Sequence, residues 1–373
     1  MHPNDPIVQR FPLVARPRPA CRPLTERVHA LRDLAQTAAE QDDPTRASAV
    51  YNQSALLASD LGLPALARKL CHRHADAYLH ACPLPGEVAI RALEPVVNLA
   101  RLHIRAGHPD VARQHLLTLY EAVSTGTAAE LGGAAVPADL TATAADRREV
   151  RSWLWTVLLA DGTRTLTAQG RWDEALAHLK EHRGVGKRML DGRQVAVLAA
   201  LTANDTASAA ALLENTEPGE LEEQAVTACL TVLNRRAVDR PANRDVRSLA
   251  DVYVEFQPQP GMAVFDTRLG LTILDLIGGG DASDGRRVVN ELHHRVTTQN
   301  DGCAAREGLA HPLFAALTSD GQRQSCQAVV DACALGTGKL PNELRDQLFW
   351  ALRASDRTIR RYRGQEPSES SGR

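Results

Sequence analysis

The sequence predicts an all-α protein built as a helical array, without a sheet, and three observations point there. First, a short cassette recurs: a turn rich in Gly, Asn, Asp or Pro, then an alanine, then apolar residues at helical spacing. Clear copies run over 41–47, 107–112, 170–175 and 204–209, and their key alanines, Ala47, Ala112, Ala175 and Ala209, are 65, 63 and 34 residues apart. Repetition on that scale marks units that cannot each bury their own apolar face. Second, Ala and Leu dominate the 44% of hydrophobic residues, while aromatics make up 4%, which favours helices over strands. Third, no window approaches 18 uninterrupted apolar residues, so the helices are expected in water rather than in a membrane.

Taken in order, residues 1–23 hold Pro3, Pro6, Pro12, Pro17, Pro19 and Pro23, a density that forbids a stable helix and predicts an extended or disordered arm. From Leu24 the pattern turns helical: Leu31, Leu34, Ala35 and Ala38 share one face and the turn at Asp42–Pro44 ends it. A second helix runs to about Leu61, where Gly62 and Pro64 close it, and a third covers roughly 64–81 before Pro83 and Pro85. Residues 87–106 are helical in pattern, with Pro95 expected to kink them or begin a new helix, and 110–123 follow as their partner.

Residues 124–146, built of Ser, Thr, Gly and Ala with Gly132-Gly133 and Pro137, read as a flexible linker or long loop and a soft domain boundary. This separates an N-terminal helical domain, 24–123, from a C-terminal one, 147–363. Helices are then expected at 147–169, 172–183, 191–203, 206–215, 221–236, 243–256, 263–277, 284–299, 303–318, 321–335 and 341–361, with a disordered polar tail from 364 to 373. Strands are not needed anywhere.

Net charge is −2, so no global field favours nucleic acid or anionic membrane. Only Lys69, Lys180, Lys187 and Lys339 among the 43 basic residues are lysines, a bias that reads as high-GC coding rather than a demand for guanidinium chemistry. Seven scattered cysteines without a Cys-x-x-Cys pair read as reduced, buried thiols, and the N-terminus lacks a signal-peptide core; both point to the cytoplasm.

At the first three cassettes the match sharpens. Leu31, Leu34, Ala35 and Ala38 precede Ala47 and Tyr51; Val96, Leu99 and Ala100 precede Ala112 and Leu116; Leu159, Thr163 and Leu166 precede Ala175 and Leu179. In each, a small residue of the first helix lies 12 positions before the alanine of the second. This resembles the tetratricopeptide repeat, most closely at Gly170-Arg171-Trp172-Asp173-Glu174-Ala175-Leu176, and covers 24–61, 94–120 and 155–213. Beyond residue 220 the helices show no clean repeat.

The resemblance implies a right-handed α-solenoid of antiparallel helix pairs, a superhelix whose groove binds peptides or partner proteins. Polar residues placed to face such a groove are Arg32, Gln36, Asn98, Arg101 and Arg164, and an Asn beside arginines suits a carboxylate or an acidic peptide. By the same analogy the chain reads as a scaffold or regulatory factor of development or secondary metabolism in a high-GC bacterium, and not as an enzyme. A sensor of a short signalling peptide is one rival. The other is an enzyme or accessory protein of a biosynthetic pathway, which needs Asp266, Asp275, His293 and His294 around one pocket.

Other clusters weigh less. His72, Asp76 and His80 share a helix face, as do His178 and His182, but His-Glu-x-x-His is not met and no metal is expected. Gly278-Gly279-Gly280-Asp281 and Gly184-Val185-Gly186-Lys187 miss the dinucleotide and phosphate-loop patterns and read as turns, so no cofactor is expected. The basic end, Arg353, Arg357, Arg360, Arg361 and Arg363, reads as a helix C-terminus favoured by the macrodipole.

Overall fold

Turn chemistry starts the helices where the cassettes place them. Asp43 caps α3 (Pro44–Asp60) by accepting from the Thr45 and Arg46 amides, with Pro44 in the first turn. Asp205 caps α11 (Thr206–Glu214) through the Ser208 amide. Thr143 and Asp146 form a capping box at α7 (Ala144–Val157), and Ser319 and Gln322 another at α18 (Asp320–Ala332). The computed structural model describes residues 1–278 and 282–362. Helix dominates it, and the chain divides into two compact units.

The first unit takes residues 24–165 together with the chain from Ala334 onward. Its helices are α2 (Leu24–Glu40), α3, α4 (Pro64–Leu79), α5 (Gly86–Arg105), α6 (Pro109–Thr125), α7 and α19 (Asn342–Tyr362), and a π-helical turn, Leu158–Gly162, continues α7. Each of α2 to α7 packs on the next in order; α3 also touches α5, and α5 touches α7. The last helix, α19, packs back on α2 and α3, so the C-terminal end of the chain completes the N-terminal array. Pro95 lies buried inside an unbroken α5. It neither ends the helix nor begins another, because packing on α4, α6 and α7 holds the helix through the one missing hydrogen bond.

The segment 124–146 is not a structureless linker. It holds a hairpin of β1 (Ala129–Leu131) and β2 (Ala134–Val136), with Ala129 opposite Val136 and Leu131 opposite Ala134. Leu131, Ala134 and Val136 are buried while Glu130 and Ala135 are not, a period of two across the Gly132-Gly133 turn. Both glycines have positive φ, 58° and 85°, as a two-residue hairpin turn requires. The segment therefore belongs to the core of this unit, and the division between units falls after Thr165 instead.

The second unit takes residues 1–23 and 166–333. After α8 (Thr163–Thr167) come α9 (Trp172–Glu181), α10 (Asp191–Thr202), α11, α12 (Leu221–Ala237), α13 (Asn243–Glu255), α14 (Ala263–Ile277), α15 (Ala282–Gln299), α16 (Gly302–Leu309), α17 (Pro312–Leu317) and α18. The N-terminal arm, expected to be extended or disordered, carries the one-turn helix α1 (Pro6–Gln9) and is built into this unit. Val8, Phe11 and Leu13 are buried. Prolines bar a long helix, so the arm's remaining backbone groups turn to side chains. Gln194 donates to the Leu13 carbonyl at 2.9 Å and accepts from its amide at 2.7 Å, and the Trp172 indole donates to the Pro3 carbonyl at 3.1 Å. The tail 364–373 lies outside the described residues.

Two substitutions test this packing. Gln194→Ala strands two buried backbone groups of the arm and is expected to cost about 2 kcal/mol or more, read as a lower urea midpoint. Ala112, fully buried, has no room for a larger group, so Ala112→Leu is expected to lose about 1–3 kcal/mol while Val111→Leu, 43% exposed next door, leaves stability unchanged.

Candidate functional site

On α5, Arg91, Glu94, Asn98, Arg101 and Arg105 recur every three or four residues and form a polar stripe. On α3, Thr45, Asn52 and Ser59 recur every seven and meet it. A directional hydrogen-bond chain runs along the seam. Arg101 donates to Asn98 Oδ1 at 3.0 Å, Asn98 Nδ2 to Asn52 Oδ1 at 2.9 Å, and Asn52 Nδ2 to the Glu94 carboxylate at 2.6 Å. Burial raises the Glu94 carboxyl, against the Asn52 hydrogen bond and the charges of Arg91 and Arg101. At the other end, Arg101 grips Asp161 through Nε at 2.9 Å and Nη2 at 2.8 Å. Asp161 is buried within the π-helical turn, where the extra residue re-aims a side chain that a regular helix would point elsewhere.

A second carboxylate, Asp60 at the end of α3, fastens the same face. It accepts from Arg27 of α2 at 2.8 Å and Arg105 of α5 at 2.7 Å, and its carbonyl accepts from the Gly336 amide ahead of α19 at 2.9 Å.

Of the residues singled out from sequence, Asn98 and Arg101 come together in this seam, and Arg101 is engaged by Asp161 and Asn98. Arg32 and Gln36 sit exposed on α2 and make local pairs, with Asp33 at 3.5 Å and Glu40 at 2.9 Å. Arg164 is exposed on α8, three residues beyond Asp161. Asn52, Glu94 and Asp161 were missed. The seven-residue spacing of Thr45, Asn52 and Ser59 was a legible sign for α3, whereas the π-helical turn left none for Asp161.

The other clusters resolve as follows. His80 Nδ1 lies 2.6 Å from the Asp76 carbonyl, while His72 sits beside the hairpin turn, 3.3 Å from where a Cβ of Gly133 would stand, so the two imidazoles serve different neighbours. Lys187 pairs with Glu217 at 3.4 Å and Arg188 with Glu223, as in a fastened turn. Gly278 closes α14 at φ 68°; Gly279–Asp281 lie outside the described residues, as does Arg363. Arg360 and Arg361 pair with Asp356 and Asp42, both at 2.9 Å. Burial pushes the thiols of Cys71 and Cys229 up to about 12 and that of Cys326 to about 11, which makes them inert packing groups.

The four groups of the enzyme reading have separate surroundings. Asp275 accepts from Arg10 at 2.6 Å and His311 Nε2 at 3.0 Å; burial opposes its ionisation, but those two donors outweigh it and hold the carboxyl below its usual range. Asp266 lies nine residues earlier on α14, about 13 Å along the axis. Burial pushes it up to about 6 against the pull of Arg295. Burial and the neighbouring His294 lower His293. A groove of about 300 Å³, open mouth included, lies between α12, α13 and α14, and Glu222 is the charged residue in an otherwise apolar lining that includes Tyr253 and Phe265.

Two outcomes follow. Asp60→Ala removes the buried carboxylate that Arg27 and Arg105 share and is expected to cost about 2 kcal/mol in urea unfolding. Asp266 binds its proton more tightly folded, at about 6 against an ordinary 3.8, so stability falls as pH rises through that window and the penalty is complete above it. Asp266→Asn is therefore expected to gain about 2 kcal/mol on the wild type between pH 4 and 7, read as a urea-midpoint difference at the two pH values.

Among the described residues no helix is long and apolar enough to cross a membrane. The chain matches no protein-family model, and comparison with curated proteins and with solved structures returns no significant match.

Proposed function

We propose that this protein is a non-enzymatic binding scaffold of the tetratricopeptide-like kind, a right-handed array of antiparallel helix pairs that holds a peptide segment of a partner protein as a cytoplasmic regulatory factor. The observation that carries the reading is the amide pair Asn52–Asn98. Each side-chain amide spends one N–H and one oxygen lone pair on the seam, which leaves one donor and one acceptor apiece. A donor and an acceptor side by side complement the C=O and N–H of an extended peptide.

Both asparagines are half-buried, and Arg101 beside them is half-exposed with its guanidinium fixed at both ends. The site is thus ordered before a ligand arrives, which removes much of the entropy loss that binding imposes on long side chains. Arg101 sets a positive charge at one end of the strip and suits an acidic residue or a terminal carboxylate next to the peptide groups. Arg32, Gln36 and Arg164 take no assigned part in the strip.

The test is affinity capture from native lysate with the wild type, an Asn52→Ala/Asn98→Ala variant and an Arg32→Ala/Gln36→Ala variant, each checked for folding by circular dichroism. A partner held by the wild type and the α2 variant, and weakened about tenfold or more by loss of the asparagines, supports the reading. A partner held equally by all three, or lost with the α2 variant alone, overturns the assigned strip.

A further inference from the structure

In the second unit, the structure assigns a divalent transition-metal site, with zinc as the fitting ion, to His178 and Glu181 of α9 and His182 at its C-cap. The helix places them at positions i, i+3 and i+4, on one face. One donor atom from each lies within 4.8 Å of the others. The two imidazole rings meet edge to face with centroids 4.6 Å apart. Zinc holds imidazole nitrogen and carboxylate oxygen at about 2.0–2.2 Å, so donors sharing an ion stand about 3 Å apart. Rotations of the exposed Glu181 and half-buried His182 side chains close that gap.

The surroundings favour a cation there. His178 is 2% exposed, so its ring is held by the core, whereas His182 is half-buried and Glu181 is exposed, which leaves a path from water. The site sits at the C-terminal end of α9, the negative end of the helix dipole. Lys180 and Arg183 flank it in sequence, and both are exposed, so solvent screens their charges. Two imidazoles and one carboxylate are the donor set of zinc and its neighbours in the first transition row, not of calcium or magnesium, which take oxygen. Three protein donors leave a fourth position for water or for a side chain of another molecule. Chelation needs a shared face and not the order His-Glu-x-x-His, which is why the sequence pattern passed it over.

The experiment uses the full chain, stripped with EDTA and desalted, then titrated with Zn²⁺ by calorimetry and with Co²⁺ as an absorbing probe. One equivalent of Zn²⁺ is expected at micromolar affinity, with Co²⁺ bands of low-coordinate nitrogen–oxygen ligation. His182→Ala and Glu181→Ala, which alter groups outside the core and leave the fold intact, are each expected to weaken Zn²⁺ at least tenfold. A His103→Ala/His115→Ala variant, which removes two clustered imidazoles of the first unit, is expected to bind as the wild type does. No saturable binding by the wild type, equal binding by His182→Ala, or loss of binding in the His103/His115 variant instead would overturn the assignment.

Discussion

The close approach of helices at buried alanines is the constraint on which the rest of the structure depends. Ala35, Ala38, Ala47, Ala67, Ala75, Ala89, Ala92 and Ala112 are fully buried along α2 to α6, and none of them fills space. They let neighbouring backbones come near, while Leu57, Tyr51, Tyr78 and Leu93 occupy what remains. A helix bearing small residues on one side and large ones on the other has no stable existence alone, because its apolar stripe needs a partner. The helices of each unit therefore depend on their neighbours, and the outermost ones need covering. In the first unit α19 supplies a cover on α2 and α3; in the second the proline-bearing arm fills in beside α9 and α10.

Those two covers explain what could and could not be read from the sequence. Most helix positions were legible to within a few residues, since a cap such as Asp43 and a stop such as Gly62 act locally, but α7 begins at Ala144 inside the expected linker and the helix expected over 303–318 divides into α16 and α17. The hairpin at 129–136 left a sign as well, Gly132-Gly133 between alternating residues, but the small side chains around it resembled a linker. The pairing of the chain's two ends with the opposite halves left none. It arises from contacts more than 150 residues apart, as in Gln194 with Leu13 or Tyr51 with Asp356, and no periodicity records such distances. For the same reason the composition shift at 124–146 was a poor guide to where the chain divides.

Charge follows a comparable logic. Asp60 and Asp161 are buried carboxylates; Asp60 is held by Arg27 of α2 and Arg105 of α5, and Asp161 by Arg101 of α5. A buried ion pair contributes little net stability, yet it penalises every arrangement in which the partners fail to meet. At the α3–α5 seam this specifies register: slide one helix by a turn and Asn52 loses Glu94 and Asn98 together. The order at Arg101 is thus a by-product of the device that aligns the helices. Asn98 and Arg101 were findable from sequence because they lie on a regular helix. Asp161 was not, since one extra residue in a turn changes which face a side chain occupies.

The arginine excess takes on a different meaning in this light. As sequence it looked like coding bias. In the folded chain, however, Arg193 is 7% exposed and donates to the Thr216 hydroxyl and the carbonyls of Gly186 and Leu212, while Arg295 is 3% exposed and reaches the carbonyls of Tyr253 and Phe256 and the carboxylate of Glu291. Each ties helix ends to loops through their backbone carbonyls. A lysine in either place offers three donors from a single nitrogen and cannot span acceptors set so far apart, whereas the planar guanidinium presents five in a fixed fork. Whatever mutational bias supplied the arginines, these positions use the geometry of the group. An array with many short helices has many ends to satisfy, and arginine satisfies several of them from inside the core.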